Sequence, residues 1–150
     1  MKQSPDEKKL EEQLRSSIIA AGGFLGTDQR SLDEIIDSDL NDLTELGISI
    51  INVVRRMNHI TNIAIPALGN WAQVDHKLEA RVDEAKGSII CPWPHPAAFA
   101  KRITYVKNRQ TQEIFKWTDL NIHLIEKHNF FEGKGAPYRI EPKELVKFIF

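Results

Sequence analysis

The first third of the chain repeats its apolar residues with the period of amphipathic helices. The sequence Ser-Pro-Asp-Glu at residues 4–7 is a helix start, with serine as N-cap, proline in the first turn and glutamate closing a capping box. Leu10, Leu14 and Ile18 then lie on one face of a helix. The glycine pair at 22–23 ends it. This pattern predicts a first helix between residues 5 and 21.

Two more helices are predicted before residue 66. Ser31 and Glu34 form a second capping box, and Gly47 is a natural terminator. The apolar positions between them are Leu32, Ile35, Ile36, Leu40 and Leu43. A third helical pattern begins after Ser49 and ends or kinks at Pro66. The residues that make this pattern are Ile50, Ile51, Val54, Met57 and Thr61.

Residues 71–85 fit two patterns. A helix is favoured because the segment is rich in Ala, Glu, Lys and Arg. Its apolar face would contain Trp71, Val74, Leu78, Val82 and Ala85. A strand is the alternative, because Leu78, Ala80 and Val82 also alternate with polar residues. If residues 71–85 form a helix, the chain up to residue 86 contains four helices with short connections, which is typical of a small bundle.

The pattern changes after Gly87. Residues 88–91 form a short apolar run, and the prolines that follow exclude regular structure until residue 97. Residues 103–107 and 113–118 alternate and are rich in β-branched and aromatic side chains, which predicts a hairpin. Asp119 can cap a helix that runs to about His128.

These elements predict an α+β fold. A helical part covers residues 1–86, and a ββα part with a short C-terminal helix covers residues 87–150. Pro142 opens the last helix. Its inward-facing residues are Leu145, Val146 and Ile149. We expect the two parts to form one compact fold.

The composition narrows the class of protein. The 150 residues are 41% hydrophobic and 27% charged, which is ordinary for a globular domain. No apolar run reaches the roughly 18 residues that a membrane span requires, and no apolar run of signal-peptide type follows the first residues. The single cysteine cannot form an internal disulfide. We therefore expect a soluble, cytoplasmic protein with no membrane contact.

The charges are unevenly distributed. Residues 1–85 carry 9 Lys and Arg against 15 Asp and Glu, a net charge of −6, whereas residues 86–150 carry 11 against 6, a net charge of +5. The two parts can complement each other within one molecule or across a homo-oligomer. The basic part can also attract an anionic partner. A protein partner or a second copy is the expectation from this pattern, and a nucleic acid is the alternative.

Four residues could form a metal site: Cys91 and His95 in the sequence CPWPH, and His123 and His128 in HLIEKH. Zinc prefers thiolate and imidazole ligands in a tetrahedron, and the prolines would hold the first pair in a stiff turn. Residues five apart on a helix point about 140° away from each other. The two helical histidines can therefore share an ion only if the helix ends or tightens before His128.

Each of these four residues also has an ordinary structural interpretation. Cys91 can be a small core residue, and His95 can be a loop residue. His128 in the last turn of a helix suits the helix dipole. His123 can bond Asp119 or Glu126 on its own helix face. With those two carboxylates, His123 can alternatively form an acid–base or oxygen-rich metal-binding group.

The predicted hairpin mixes basic and aromatic residues, which can bind phosphates and stack on bases. The candidate nucleic-acid-binding residues are Lys101, Arg102, Tyr105, Lys107, Arg109 and Lys116. The ordinary alternative is that the aromatic rings pack on a helix and the charges face solvent.

The sequence contains no nucleophile elbow, phosphate-binding loop or dinucleotide fingerprint. We therefore expect a non-enzymatic interaction or regulatory module with a structural zinc ion. A metal-dependent hydrolase with three zinc ligands and a nucleic-acid-binding protein are the alternatives.

Overall fold

The computed structural model describes residues 4–16 and 23–150, and it contains helices followed by an antiparallel sheet and two further helices. The helices are α1 (Pro5–Arg15), α2 (Leu32–Leu46), α3 (Ile50–Ala64), α4 (Asp119–His128) and α5 (Pro142–Ile149). The strands are β1 (Ala72–Gln73), β2 (Leu78–Ile90), β3 (Ala98–Asn108) and β4 (Ile114–Thr118). A single 3₁₀ turn, Ile65–Ala67, follows α3. The α+β fold class and the order of the elements after the N-terminal helices are as predicted.

Side-chain caps begin the first three helices. Ser4 accepts a hydrogen bond from the backbone nitrogen of Glu7, and Ser31 and Ser49 make the equivalent bonds at the starts of α2 and α3. Gly47 ends α2 with a φ of 69°, a conformation that glycine adopts without strain. The predicted helix starts are confirmed. The predicted extension of the first helix to the glycines at 22–23 is wrong, because α1 ends at Arg15, with Ser16 already in an extended conformation.

The helix predicted for residues 71–85 is wrong, and the alternative strand is confirmed. Leu78, Ala80 and Val82 point into the core and are almost fully buried, as in one face of a strand. The segment pairs with β3, so backbone bonds to a distant strand outweigh the helix propensity of its Ala, Glu and Arg residues. Strand β2 continues through residues 86–87, where the sequence pattern changes.

The sheet has the order β1-β2-β3-β4, with all neighbours antiparallel. The pairing of β3 with β4 confirms the predicted hairpin. The pairing of β2 with β3 makes a longer hairpin, with residues 91–97 at its tip. A bulge interrupts the β2–β3 register between Ala85 and Ser88. Residues 83–88 are exposed, so this outer half of the long hairpin packs little against the core.

The core has two clusters of buried side chains. The larger one lies between the sheet and helices α3, α4 and α5, and it contains Trp117, Met57 and Phe131. Within it, the indole nitrogen of Trp117 donates a 3.0 Å hydrogen bond to Thr61 Oγ1, which lies 2.7 Å from the hydroxyl of Thr104. The smaller cluster connects α1 and α2 to α4 and the hairpin tip. Its members are Leu14, Phe24, Leu25, Leu32, Ile35, Cys91, Leu120, Leu124 and Phe130.

None of the helices in the described ranges is long and apolar enough to cross a membrane.

Candidate metal centre

Cys91 and His95 lie in the tip of the long hairpin, where the prolines have left an irregular turn. The backbone nitrogen of Cys91 donates to the carbonyl of Ala97, which closes the turn at 3.0 Å. The nitrogen of His95 donates to the carbonyl of Trp93 at 2.8 Å. Cys91 is 2% exposed and belongs to the smaller core cluster, as expected if it is a small core residue. The turn nevertheless directs its sulfur toward His95.

His123 and His128 come from the middle and the last residue of α4. Thr118 caps the start of this helix through a capping box with Asn121. Asn129, with a φ of 53°, ends the helix directly after His128. The expectation that the helix must end or tighten before His128 is wrong, because the two rings meet with His128 still helical. Their centroids are 5.4 Å apart, since both side chains extend toward the same point beside the helix.

The four side chains converge at one point. Cys91 Sγ lies 3.3 Å from His95 Nε2 and 3.6 Å from His128 Nε2, and these two nitrogens are 3.0 Å apart. All four ligand atoms, including one from His123, lie within 4.8 Å of one another. At ordinary bond lengths, neighbouring ligands of a tetrahedral zinc ion are about 3.3 Å apart for two nitrogens and about 3.6 Å for sulfur and nitrogen. Shifts of a few tenths of an ångström bring the first three atoms to this geometry.

His123 supplies the observation that ordinary packing does not account for. Its Nε2 is buried and has no hydrogen-bond partner among the described residues. Neither Asp119 nor Glu126 bonds it, which contradicts the interpretation that His123 is held by a carboxylate on its own helix. A buried polar atom without a partner is costly, and a metal ion is one group that would satisfy it.

Aromatic rings hold the imidazoles in place. Trp93 stacks on His128 with 4.0 Å between centroids and an angle of 11° between planes. Phe99 packs against His123 at 4.5 Å. These contacts restrict ring rotation, so less conformational entropy is lost when the nitrogens bind one ion. Trp93 and Phe99 were not singled out in the sequence, although a tryptophan between two prolines of the candidate motif is a visible signal.

The protonation states also suit a metal. Burial, together with the neighbouring rings of His123 and His95, lowers the pKa of His128 to about 4. Burial likewise lowers the pKa of His123. Both rings are therefore neutral near pH 7 and can offer a lone pair. Burial raises the pKa of the Cys91 thiol in the metal-free protein, and binding to a cation would release its proton.

The alternative group of Asp119, His123 and Glu126 does not converge. In the described part of the chain, Cys91, His95, His123 and His128 make up the one group found whose geometry could hold a metal. Asp119, His123 and Glu126 instead line a cavity of about 230 Å³, which we call the His123 cavity. Asp119 Oδ2 accepts a 2.7 Å hydrogen bond from Arg102, whereas Oδ1 is buried without a partner among the described residues.

Several residues of the candidate nucleic-acid surface are engaged by the protein itself. Arg102 donates to Glu84 at 2.9 Å and to Asp119 at 2.7 Å. Lys107 pairs with Glu79 at 2.9 Å. Each of these ion pairs reduces the net positive charge that a phosphate would meet.

The remaining residues of that surface lie on the sheet or in its turns. Tyr105 carries the guanidinium of Arg81 over its ring at 4.5 Å, and Lys116 lies 4.9 Å from the ring centre of Tyr138. Three basic side chains of this surface form no ion pair with the described residues: Lys101, Arg109 and Lys116. Binding of a nucleic acid by this hairpin stays a prediction.

A scan against known protein families, a search of curated proteins and a search of solved structures each found no match to this chain.

Proposed function

We propose that Cys91, His95, His123 and His128 bind one zinc ion, and that this ion is structural in a non-enzymatic interaction or regulatory module of the cytoplasm. The observation that carries the proposal is the convergence of the four ligand atoms within 4.8 Å, with a buried His123 nitrogen that has no hydrogen-bond partner among the described residues. The absence of a catalytic motif in the sequence supports the non-enzymatic part.

The ligand types favour zinc over harder cations. One sulfur and three imidazole nitrogens form a soft donor set, whereas magnesium and calcium prefer oxygen ligands. Four protein ligands also fill a tetrahedron, and a closed tetrahedron is typical of structural zinc sites. A catalytic ion keeps one position open for water or substrate.

A structural ion would have a specific mechanical effect in this fold. The ligands Cys91 and His95 are at the tip of a hairpin whose outer half, residues 83–88, is exposed. Helix α4 is anchored in both core clusters through its apolar side chains. An ion between them would fix the hairpin tip to a rigid helix. The free energy of metal binding would then add to the free energy of folding.

The test is metal analysis of tag-free protein. The protein is first given one equivalent of zinc and is then dialysed against metal-stripped buffer. We expect about one zinc per chain in the wild-type protein, and at least a tenfold loss of zinc affinity in Cys91→Ser and in His123→Ala. His59→Ala is the matched control, because His59 is an exposed histidine on α3 and should leave zinc binding unchanged. Wild-type zinc content in both ligand variants would refute the site.

A second candidate, a zinc hydrolase, is favoured by the His123 cavity. If only three residues bind the ion, the fourth position would hold water, whose pKa zinc lowers to about 7. The proton of that water would go to Asp119, whose Oδ1 is buried with no partner in the described part of the chain, or to Glu126. X-ray absorption of the zinc-loaded protein separates the two candidates, because a structural site has four protein ligands and a hydrolytic site has three and an oxygen. Asp119→Asn should keep the zinc in both cases and lose hydrolysis only in the second.

A further inference from the structure

A larger cavity is lined in part by both strands of the long hairpin and by none of the four metal ligands. Its volume is about 770 Å³, which is within the range of pockets that bind small molecules. Most of the wall is hydrocarbon. The apolar lining residues on which the inference depends are Phe24, Ile89, Ala100, Ile103, Leu120 and Pro137.

Glu132 places a carboxyl group in this apolar wall, and we therefore call the space the Glu132 cavity. The residue is 5% exposed. Its Oε2 accepts a 2.8 Å hydrogen bond from the side-chain amide of Asn121. No described residue bonds its other carboxyl oxygen. The carboxyl group is thus held in a fixed place with one oxygen left for another donor.

The backbone at Glu132 is also unusual. Its φ is 66°, a region that non-glycine residues rarely adopt. The carbonyl oxygen of Glu132 accepts a 2.7 Å hydrogen bond from Arg139, a buried residue that holds this conformation. Strained backbone and a buried carboxyl group at the wall of a cavity are each typical of binding sites. Here both belong to one residue.

The charges around the cavity indicate what the carboxyl group can bind. Arg102 also lines the cavity, but its guanidinium is already paired with Glu84 and Asp119. Lys101 is exposed in solvent at the rim. No cation among the described residues therefore bonds the free oxygen of Glu132. A ligand that brings its own cation into an apolar space would form a strong, charge-assisted hydrogen bond there.

We propose that the Glu132 cavity binds a small apolar amine, whose ammonium group pairs with Glu132 while its hydrocarbon part contacts the apolar walls. An alcohol with the same hydrocarbon chain as the amine would keep the apolar contacts but could not form the ion pair. A carboxylate with the same hydrocarbon chain would form no ion pair with Glu132 in either protonation state. Burial raises the pKa of Glu132 to about 8, and a bound ammonium would favour the ionised carboxylate. The proposal does not depend on the zinc site.

The experiment compares hexylamine, hexanol and hexanoate by NMR titration of the full-length, zinc-equilibrated protein. We expect hexylamine to bind at least tenfold more tightly than hexanol, and hexanoate to bind more weakly than either. Glu132→Gln should reduce the preference of amine over alcohol to near one, with hexanol affinity retained. Glu144→Gln, a change at an exposed carboxyl on α5, should leave the preference unchanged.

Three outcomes would overturn the proposal: equal binding of hexylamine and hexanol, tighter binding of hexanoate, or an unchanged amine preference in Glu132→Gln. If that variant does not fold, Ala100→Leu provides a second test. It adds a larger side chain to the cavity wall on an exposed part of β3. It should weaken hexylamine binding at least tenfold, and unchanged affinity in a folded Ala100→Leu protein would refute the assigned location.

Discussion

Replacing Glu132 with glutamine should stabilise the protein by an amount that grows as the pH rises from 5 to 8. Burial raises the pKa of this carboxyl from 4.5 to about 8, against the opposing effects of Asn121 and Arg139. The unfolded chain loses the proton near pH 4.5, whereas the folded protein keeps it until about pH 8. The wild-type protein therefore loses stability with rising pH between these two values.

The size of the effect follows from the pKa difference. Each pH unit inside this interval lowers the free energy of unfolding by about 1.4 kcal/mol, so the loss at pH 7 is about 3 kcal/mol relative to pH 4.5 and below. The full interval sets an upper limit of about 5 kcal/mol. Glutamine at position 132 keeps an acceptor for Asn121 and carries no titrating proton, so it avoids this loss.

The assay is urea unfolding of the wild-type and Glu132→Gln proteins at pH 5, 6, 7 and 8, with zinc content held constant. The difference between the two proteins isolates Glu132, because the other titrating groups contribute equally to both. We expect the advantage of the variant to increase by about 1 kcal/mol or more per pH unit. A difference that stays constant from pH 5 to 8 would show that Glu132 is ionised in the folded protein and would refute the reasoning.

Three further results are expected. Arg139→Met should lower the free energy of unfolding by about 3–5 kcal/mol in urea titrations, because the buried carboxylate of Asp39, 2% exposed, would lose its bidentate partner. A double variant, Asp39→Asn with Arg139→Met, should recover part of that loss. Gly133→Ala should cost about 2 kcal/mol or more in the same assay, since the added carbon would lie 2.4 Å from the carbonyl oxygen of Leu25. Zinc at one hundred times its dissociation constant should stabilise the wild-type protein by about 2.7 kcal/mol in thermal unfolding, and it should leave Cys91→Ser unchanged.

The elements that the sequence predicted correctly are those specified by neighbouring residues. Ser4, Ser31 and Ser49 each cap a helix through a backbone nitrogen three residues ahead, so the signal and its effect lie within one turn. The segment 71–85 differs because its main strand depends on pairing with residues of β3 that are 16 to 30 positions away. Its composition favours a helix, whereas its alternation of apolar and polar residues favours a strand. Only the pairing with the distant strand decides between the two.

The candidate site was predicted in part for the same reason. The residue types of Cys91 and the histidines identified a zinc-compatible set, but their spacing could not establish convergence. That depends on the hairpin tip meeting α4. Glu132 gave no sequence signal at all, because an acidic residue in a glycine-rich loop is ordinarily exposed. Its burial results from the loop packing against residues 24–27 and from the hydrogen bond of Asn121.

Helix α4 takes part in both proposed sites, and its packing separates their effects. Asn121 near its start holds Glu132, and His128 at its end is a proposed zinc ligand. Between them, Ile125 and Leu124 are fully buried in the two core clusters, so α4 should stay in place without zinc. Among the described residues, the hairpin tip contacts the smaller cluster alone, through Cys91 and the partly buried Trp93 and Ala97.

Removing zinc should therefore act on the Glu132 cavity through its hairpin wall and not through Glu132. The wall contains Ile89 and Ala100, which lie next to the hairpin tip on β2 and β3. We expect chelation of zinc to weaken the binding of hexylamine and of hexanol by the same factor, since both ligands lose hydrocarbon contacts. The preference for the amine should persist, because Asn121 still fixes the carboxyl group. Loss of that preference on chelation, in protein that remains folded by circular dichroism, would mean that zinc holds α4 itself in place.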